Sequence, residues 1–422
     1  MKSLEWQLST AMFAWFRELS PQERRAFYAA AGGWAMDAMD YMVFTFVIAT
    51  LIKTWGIDRA QAGLLGTVTL LVSVFGGWIA GMLADRFGRV RILQVSILWF
   101  ALFTFLNGFA QNFTMLFATR ALQGLGFGGE WAVGSVLMGE IVRARHRGKA
   151  VGAVQSTWAV GWGLAAVIYS IAFSVLPEEY AWRTMFWIGI LPALLVIYIR
   201  RFVSESSVFT ETQKRARESR VSVWEIFSPS LVRTTVLTSL LAMGAQGGYY
   251  AITTWLPTYL KTVRNLSVLN TGGYLAVIIV GSFIGYLVSA YLNDVIGRRL
   301  NFFIFAVGSA LVTIFYTLVE VSSAQMLVLG FPLGFFASGI FSGMGAFLTE
   351  LFPSRVRGTG QGFAYNFGRG IGALFPTLVG YLSGTMSLGA AIGVFAASAY
   401  MLVIIAALLL PETKGRLLQV YD

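Results

Sequence analysis

Five ionisable side chains sit inside stretches otherwise apolar enough to cross a bilayer: Asp37, Asp40, Arg120, Glu130 and Arg369. Hydrocarbon rejects such groups unless they pair, protonate or meet water, so each marks a candidate functional position. Asp37 and Asp40, in Trp34-Ala-Met-Asp37-Ala-Met-Asp40, are three apart and occupy neighbouring positions of one helix face. Desolvation favours a protonated carboxyl and a nearby arginine favours the carboxylate. A group that meets each environment in turn takes up a proton and releases it. The plainer alternative is a permanent structural pair between helices. Glu130 lies ten residues from Arg120, about 15 Å along one helix. It reads either as a second proton carrier facing a cavity or as a protonated acid bonded to a neighbouring helix.

Arg369, in Tyr365-Asn366-Phe367-Gly368-Arg369-Gly370, is the only basic residue deep in the second half. Its planar guanidinium fits a carboxylate bidentately, and Asn366, one turn earlier, offers a further hydrogen bond. The alternative pairs Arg369 with an acidic group or with backbone carbonyls. The tract Gln246-Gly-Gly-Tyr249-Tyr250-Ala-Ile-Thr253-Thr254-Trp255 mixes polar tips with aromatic faces, as a selective pocket does. Gln246, Tyr249 and Tyr250 are substrate-binding candidates, joined by Gln155 and Trp158. Trp255 and Tyr259, near the end of that stretch, read equally as interfacial anchors.

Positioning these groups falls to helices of spanning length. Arg120 to Glu140 is about 30 Å long as a helix. It carries Gly124 and Gly128, a G-x-x-x-G step that admits a neighbouring backbone closely. Twelve apolar spans are expected at about 27–52, 62–83, 92–110, 114–140, 149–175, 184–200, 231–257, 271–292, 301–319, 324–351, 359–384 and 387–410. Composition agrees, with 57% hydrophobic residues and 12% charged, against roughly 25% charged in a soluble domain. The chain has no cysteine and one histidine, His146. Disulfides, thiol catalysis and Cys- or His-built metal sites are thereby excluded. His146, between Arg145 and Arg147, reads as a solvated loop residue. Residues 1–26 form an N-terminal segment with the mixed character of an interfacial helix. Within it, Ser20-Pro21-Gln22-Glu23 fits a helix start.

The net charge of +11 lies in short loops, which points to membrane topology rather than nucleic acid. All but seven of the 31 Lys and Arg fall in the tails and even-numbered loops. The exceptions are Lys53, Arg59, Arg183, Lys261 and Arg264 in the opposite loops, and Arg120 and Arg369 within spans. Both termini are therefore expected to be cytoplasmic, in the inner membrane.

The halves repeat. GMLADRFGR at 81–89 matches AYLNDVIGR at 290–298, and MGEIVRARHRGKAVG at 138–152 matches LTELFPSRVRGTGQG at 348–362. Asp85, Arg89, Glu140 and Arg145 thus align with Asp294, Arg298, Glu350 and Arg355. These clusters read as charge networks of an inner gate, because anchoring alone explains the arginines but not the recurring acids. The expected layout is an all-α membrane protein with six-helix bundles at 27–200 and 231–410. A cytoplasmic loop at 201–230 joins them, and a tail at 411–422 follows. Two such repeats support rocking around a midplane site.

These motifs resemble the major facilitator superfamily over nearly the whole chain. Gly81-Met-Leu-Ala-Asp85-Arg86-Phe-Gly88-Arg89 is similar to its signature loop, although Val90 precedes Arg91 where a second basic residue is usual. Arg120-Ala-Leu-Gln123-Gly124 resembles the fourth-helix motif, and Leu410-Pro411-Glu412-Thr413-Lys414-Gly415 the terminal motif of several branches. Trp34-Ala-Met-Asp37-Ala-Met-Asp40 with Gly128-Gly129-Glu130-Trp131 looks most like proton symporters for sialic acid and lactate, next like those for aromatic acids. By resemblance to proton-coupled sugar porters, Asp40 corresponds to a first-helix aspartate and Arg120 to its arginine partner, a pair that protonation of Asp40 would loosen.

The resulting expectation is proton-coupled import of a small organic anion by alternating access. The protein would act as a monomer in the lipid bilayer, with protons and a small organic acid as partners and no cofactor. A proton-coupled sugar or polyol importer leaves Arg369 unexplained. An efflux antiporter resembles the chain less, because the fifth span lacks proline in its Gly-rich part. An enzyme lacks a nucleophile–base constellation, metal cluster, nucleotide loop or soluble catalytic domain.

Overall fold

The structure is a computed structural model that describes residues 15–142, 144–205, 223–352 and 357–414. Within helices, the side chains of Asp85, Glu140, Arg145 and Asp294 also lie outside the described set, as do all of Arg355, most of loop 201–230 and the tail beyond Lys414. Every long element is a helix: α1 Pro21–Trp55, α2 Arg59–Phe87, α3 Arg89–Asn107, α4 Phe113–Ile141, α5 Ala144–Val175, α6 Glu178–Trp187 and α7 Pro192–Phe202 in the first half. The second half holds α8 Val232–Thr262, α9 Val268–Ile296, α10 Arg298–Leu318, α11 Ser323–Leu351, α12 Arg357–Gly372, α13 Leu374–Leu382 and α14 Leu388–Leu409.

These elements make twelve crossings, as expected, but the sixth and eleventh are broken. Pro192, which cannot donate into a continuing helix, follows the 3-10 turn Ile188–Ile190 between α6 and α7. Residue 373 separates α12 from α13. Nine helices among the described residues are long and apolar enough to span a membrane. The helix α8 is not one of them, because its middle is given to Gly, Gln, Tyr and Thr.

The helix starts follow the sequence. Ser20 accepts from the Glu23 N–H while the Glu23 carboxylate accepts from the Ser20 N–H, a complete capping box with Pro21 at the first helical position. Of the proposed interfacial helix, residues 1–14 lie outside the described set. Trp15 is buried and packs edge-on against Phe16 and Phe27.

The repeat is visible in backbone chemistry. Gly88 and Gly297, aligned in the two signature loops, have φ of 101° and 97°, a region that side chains avoid. Each ends one helix and starts the next. A methyl on Gly124 would strike the Thr69 carbonyl, and one on Gly128 the Ser73 carbonyl, so the G-x-x-x-G step seats α4 on α2. The second half repeats this contact between α11 and α9, where Gly334 meets the Ile278 carbonyl and Gly285 the Phe335 carbonyl. Their counterparts are Gly124 on Thr69 and Gly76 on the Leu125 carbonyl.

The two halves meet along α1–α8, α2–α12/α13 and α5–α9. At the end remote from the N-terminus, Thr67 Oγ1 bonds the Ala373 carbonyl and the Thr377 hydroxyl. Tyr41 Oη meets Thr254 Oγ1 at 3.0 Å. Glu178 there bridges Lys53 of the first half at 2.7 Å and Lys261 of the second at 3.8 Å. The Trp255 indole donates to the Pro376 carbonyl at 2.9 Å and is fully buried, as is nearly all of Tyr259. These two residues are packed between helices, so the interfacial-anchor reading is corrected. A ring facing lipid would be exposed in a chain without its bilayer, as Trp78, Tyr291 and Tyr381 are.

Candidate functional site

The site forms where helices with polar middles cross. From α12, Arg369 is 1% exposed and its Nε donates to Gln246 Oε1 at 3.2 Å. Gln246 in turn donates to the Tyr365 carbonyl at 2.9 Å, so one glutamine fixes the guanidinium to its own helix and to α8. The Phe127 and Tyr365 rings flank the guanidinium, their centroids at 5.2 and 5.1 Å. The Tyr250 and Tyr365 hydroxyls lie beside it. Nη1 has no partner. A buried guanidinium with a free donor and aromatic walls is arranged to receive a planar anion.

Around it stands an aromatic cluster shared by both halves. Tyr249 Oη accepts from the Trp158 indole at 2.7 Å across the interface. Tyr41 packs on Tyr250 at 5.3 Å. Trp34 stacks between Trp131 at 4.3 Å and Trp158 at 4.9 Å. Of the substrate candidates, Arg369, Gln246, Tyr249, Tyr250 and Trp158 come together, with Gln155 buried one turn before Trp158. Asn366 does not join the guanidinium. Its amide donates to the Gly362 carbonyl and its Oδ1 lies close to Gly77 of α2.

Opposite Arg369, in the first half, are two carboxyls. Asp37 is fully buried, and neither of its oxygens receives a hydrogen bond from an N–H or hydroxyl donor. Its carboxyl faces that of Glu130 within hydrogen-bonding reach, a contact that requires a proton between two acidic groups. Arg369 acts on Asp37 electrostatically, without ion-pair contact. Glu130 Oε1 rests on Gly33, where any side chain would displace it. Glu130 also lines a narrow crevice, with room for about one water, between the pair and the N-terminal end, walled by Ala30, Trp34, Trp131, Met138 and Val154.

Asp40 and Arg120 are not paired in this structure, contrary to the expected pair. Asp40 Oδ2 accepts from Thr104 Oγ1 at 2.9 Å, extending to Gln123 and then Asn107. Its Oδ1 faces Gly189 at the break between α6 and α7. Arg120 donates from Nε to the Leu65 carbonyl at 2.7 Å and stacks 3.7 Å from the Phe44 centroid. The physical reason is direction: three residues turn Asp40 towards α3, while Arg120 lies under Phe44 towards α2.

Of the gating clusters, the second is the better described. Arg298 grips Glu350 bidentately at 2.9 and 3.1 Å and donates to the Asn293 carbonyl. Thr413 bonds the same Glu350, and Glu412 accepts from the Arg298 and Arg299 N–H groups at the start of α10. The first half answers with Arg89 on the Ala84 carbonyl and Glu205 accepting from the Val90 N–H. These described contacts each join helices of one half. Side chains of Asp85, Glu140, Arg145, Asp294 and Arg355 fall outside the described set.

Sequence reasoning overlooked Trp34, Trp131, Phe127, Tyr41 and Tyr365 as walls, Gly33 as the socket of Glu130, and Glu205 as the first half's counterpart of Glu412. Trp34 and Trp131 carried a signal, standing one turn before Asp37 and immediately after Glu130.

The model of the Major Facilitator Superfamily matches residues 30–319 and 275–419. The chain belongs to the major facilitator superfamily. It is accordingly a multi-pass membrane transporter rather than an enzyme. It is 46% identical over 407 residues to a Cupriavidus pinatubonensis protein named "Probable 4-methylmuconolactone transporter", covering 96% of this chain and 94% of that one. The "Sialic acid transporter NanX" of Escherichia coli is 31% identical, over 89% of this chain and 91% of its own. The "Cis,cis-muconate transport protein" of Acinetobacter baylyi is 29% identical, over 90% and 92%. Among solved structures, the proton:xylose symporter XylE superposes with a TM-score of 0.75 at 18% identity, covering 94% of this chain and 98% of that one. That likeness is one of fold.

Proposed function

We propose that this superfamily member imports a small organic acid together with a proton. The observation that carries the reading is Arg369: fully buried, caged by aromatic rings, with a free Nη1 and with Asp37 facing it from the other half. In the empty transporter the Asp37 carboxylate balances Arg369. An incoming carboxylate takes over that role at the fork, and Asp37 then takes a proton of its own, beside the one that Glu130 already holds. The crevice beside Glu130 gives that proton its route to the N-terminal end. Substrate and proton thereby neutralise one guanidinium and one carboxylate, and the loaded centre moves without unbalanced charge.

Energetics favour this coupling, since moving one negative charge inward costs about 2.3 kcal/mol per 100 mV of inside-negative potential. The relatives' names include small acids and a lactone acid, which is the substrate class proposed. Basic-residue asymmetry supports cytoplasmic termini in the inner membrane. Bundles 27–200 and 231–410 are the bodies that rock, and the clusters around Arg89 and Arg298 stiffen each body at the inner gate. A sugar importer would have no use for a free guanidinium fork.

The test is uptake by proteoliposomes under an imposed inward proton gradient, with lactate, a muconate, a hydroxybenzoate, sialic acid and xylose offered separately. Gradient-dependent accumulation of at least one acid and none of xylose is expected. Accumulation of xylose alone, or uptake blind to the gradient, would overturn the reading.

A further inference from the structure

Arg120 is the second buried guanidinium, and the function above leaves it unused. It is fully buried, both terminal nitrogens lack partners, and no described carboxylate lies within ion-pair distance. Its satisfied donor is Nε, and the Phe44 ring covers one face. A buried cation without a counter-ion is strongly unfavourable unless an anion arrives.

Its position relative to Arg369 follows from the shared helix α4. Arg120 and Phe127 are seven residues apart, about 10 Å along the axis, and the Arg369 guanidinium lies 5.2 Å from the Phe127 centroid. Between the two cations stands Tyr41, which stacks along Phe127 at 6.2 Å and contacts Tyr250 at 5.3 Å. Tyr41 Oη is tied to Thr254 of the second half. That hydrogen bond joins the halves, so it breaks when they part at the end remote from the N-terminus. The partition between the two guanidinium groups then opens.

We propose that Arg120 is a second anchor for the transported acid, and that the substrate is a flat unsaturated molecule with a carboxylate for Arg369 and a further carboxylate or carbonyl oxygen for Arg120. This rests on the organic-acid reading and deepens it. The aromatic walls favour a conjugated body, and a short diacid offers a carboxylate for an N–H···O contact of about 2.8 Å at each end. A lactone acid presents the same two ends. Compounds with a single carboxylate and an apolar tail leave Arg120 unmatched.

Trans,trans-muconate and sorbate test this, because both are conjugated chains of equal length that differ in the second carboxylate. Equilibrium binding to the purified full-length protein is measured for each acid at one pH without a gradient. The wild type is expected to prefer muconate by about tenfold or more, the scale of a charge-assisted hydrogen bond. Arg120→Gln should abolish the preference while leaving sorbate affinity within about twofold, and Arg120→Lys, which keeps the charge without the fork, should retain part of it. Arg369→Gln should weaken both acids alike. Equal wild-type affinities for the two acids would overturn the inference without recourse to any variant, and so would a preference surviving Arg120→Gln or parallel losses for both acids. If wild-type protein binds neither acid, this inference fails while the organic-acid reading still stands on the uptake panel; if Arg369→Gln changes the binding of neither acid, both fail.

Discussion

Two donors of Arg369 have different work: Nε is spent on Gln246, and Nη1 is left for a ligand. Replacing the fork by an ammonium keeps charge but loses the second, parallel bond. Arg369→Lys should therefore weaken carboxylate binding about tenfold or more, read as the dissociation constant of an accepted acid. Unchanged affinity would remove the arginine from the site. Residue types in the sequence announced most of this chemistry, because buried charge in an apolar span is rare enough to be noticed singly. Partners were not legible. Spacing placed Asp37 and Asp40 on neighbouring positions of α1, but which one faces the aromatic cluster depends on how α1 rolls against α3 and α4. In the fold Asp37 meets Glu130 and Asp40 turns to Thr104. The aromatic walls were hidden for another reason: in a chain with 34 Phe, 16 Tyr and 13 Trp, one more ring carries no signal.

At the scale of elements, glycine sets how closely helices approach. A methyl at Gly128 meets backbone rather than a side chain that can swing away. Gly128→Ala, and Gly334→Ala in the other half, should each destabilise by about 1–3 kcal/mol. Gly273→Ala, facing open space within α9, should be neutral or slightly stabilising. Melting of the three variants in detergent checks the contrast. The start of α10 offers a pH test. Burial pushes the Glu412 carboxyl up, but the backbone N–H groups of Arg298, Arg299, Lys414 and Thr413 outweigh it and hold the group below its usual range. A carboxyl lowered on folding stabilises fully above its unfolded value of about 4.3, and this fades as pH falls through the folded value. The melting difference between wild type and Glu412→Gln should thus be largest at neutral pH and vanish in acid. A pH-independent difference would contradict it. The spans, the Ser20 cap and the Gly124–Gly128 seam were readable from local pattern. The breaks at 188–190 and 373 were not, since apolar composition continues through both.

Across the whole molecule, the halves are latched at one end by Thr67, Trp255, Tyr41 and the Lys53–Glu178–Lys261 bridge. The crevice beside Glu130 lies towards the other end. Neither feature is visible in a linear pattern, because both depend on contacts between residues far apart in the chain. The repeat was legible, since two matched loops at nearly one offset fix the pseudo-symmetry. Orientation follows from charge and can be checked in a chain that lacks cysteine. In intact cells, Val263→Cys should react with an impermeant maleimide and Ser204→Cys should react after permeabilisation alone; the reverse pattern would invert the topology. The central claim is that Asp37 exchanges a proton as the substrate carboxylate takes its place opposite Arg369. Its most direct test compares wild type and Asp37→Asn in proteoliposomes, following labelled acid and internal pH together. The variant is expected to exchange acid in counterflow while losing both proton-driven accumulation and acid-dependent proton entry. Accumulation by Asp37→Asn at the wild-type level, with protons still entering alongside the acid, would contradict the account.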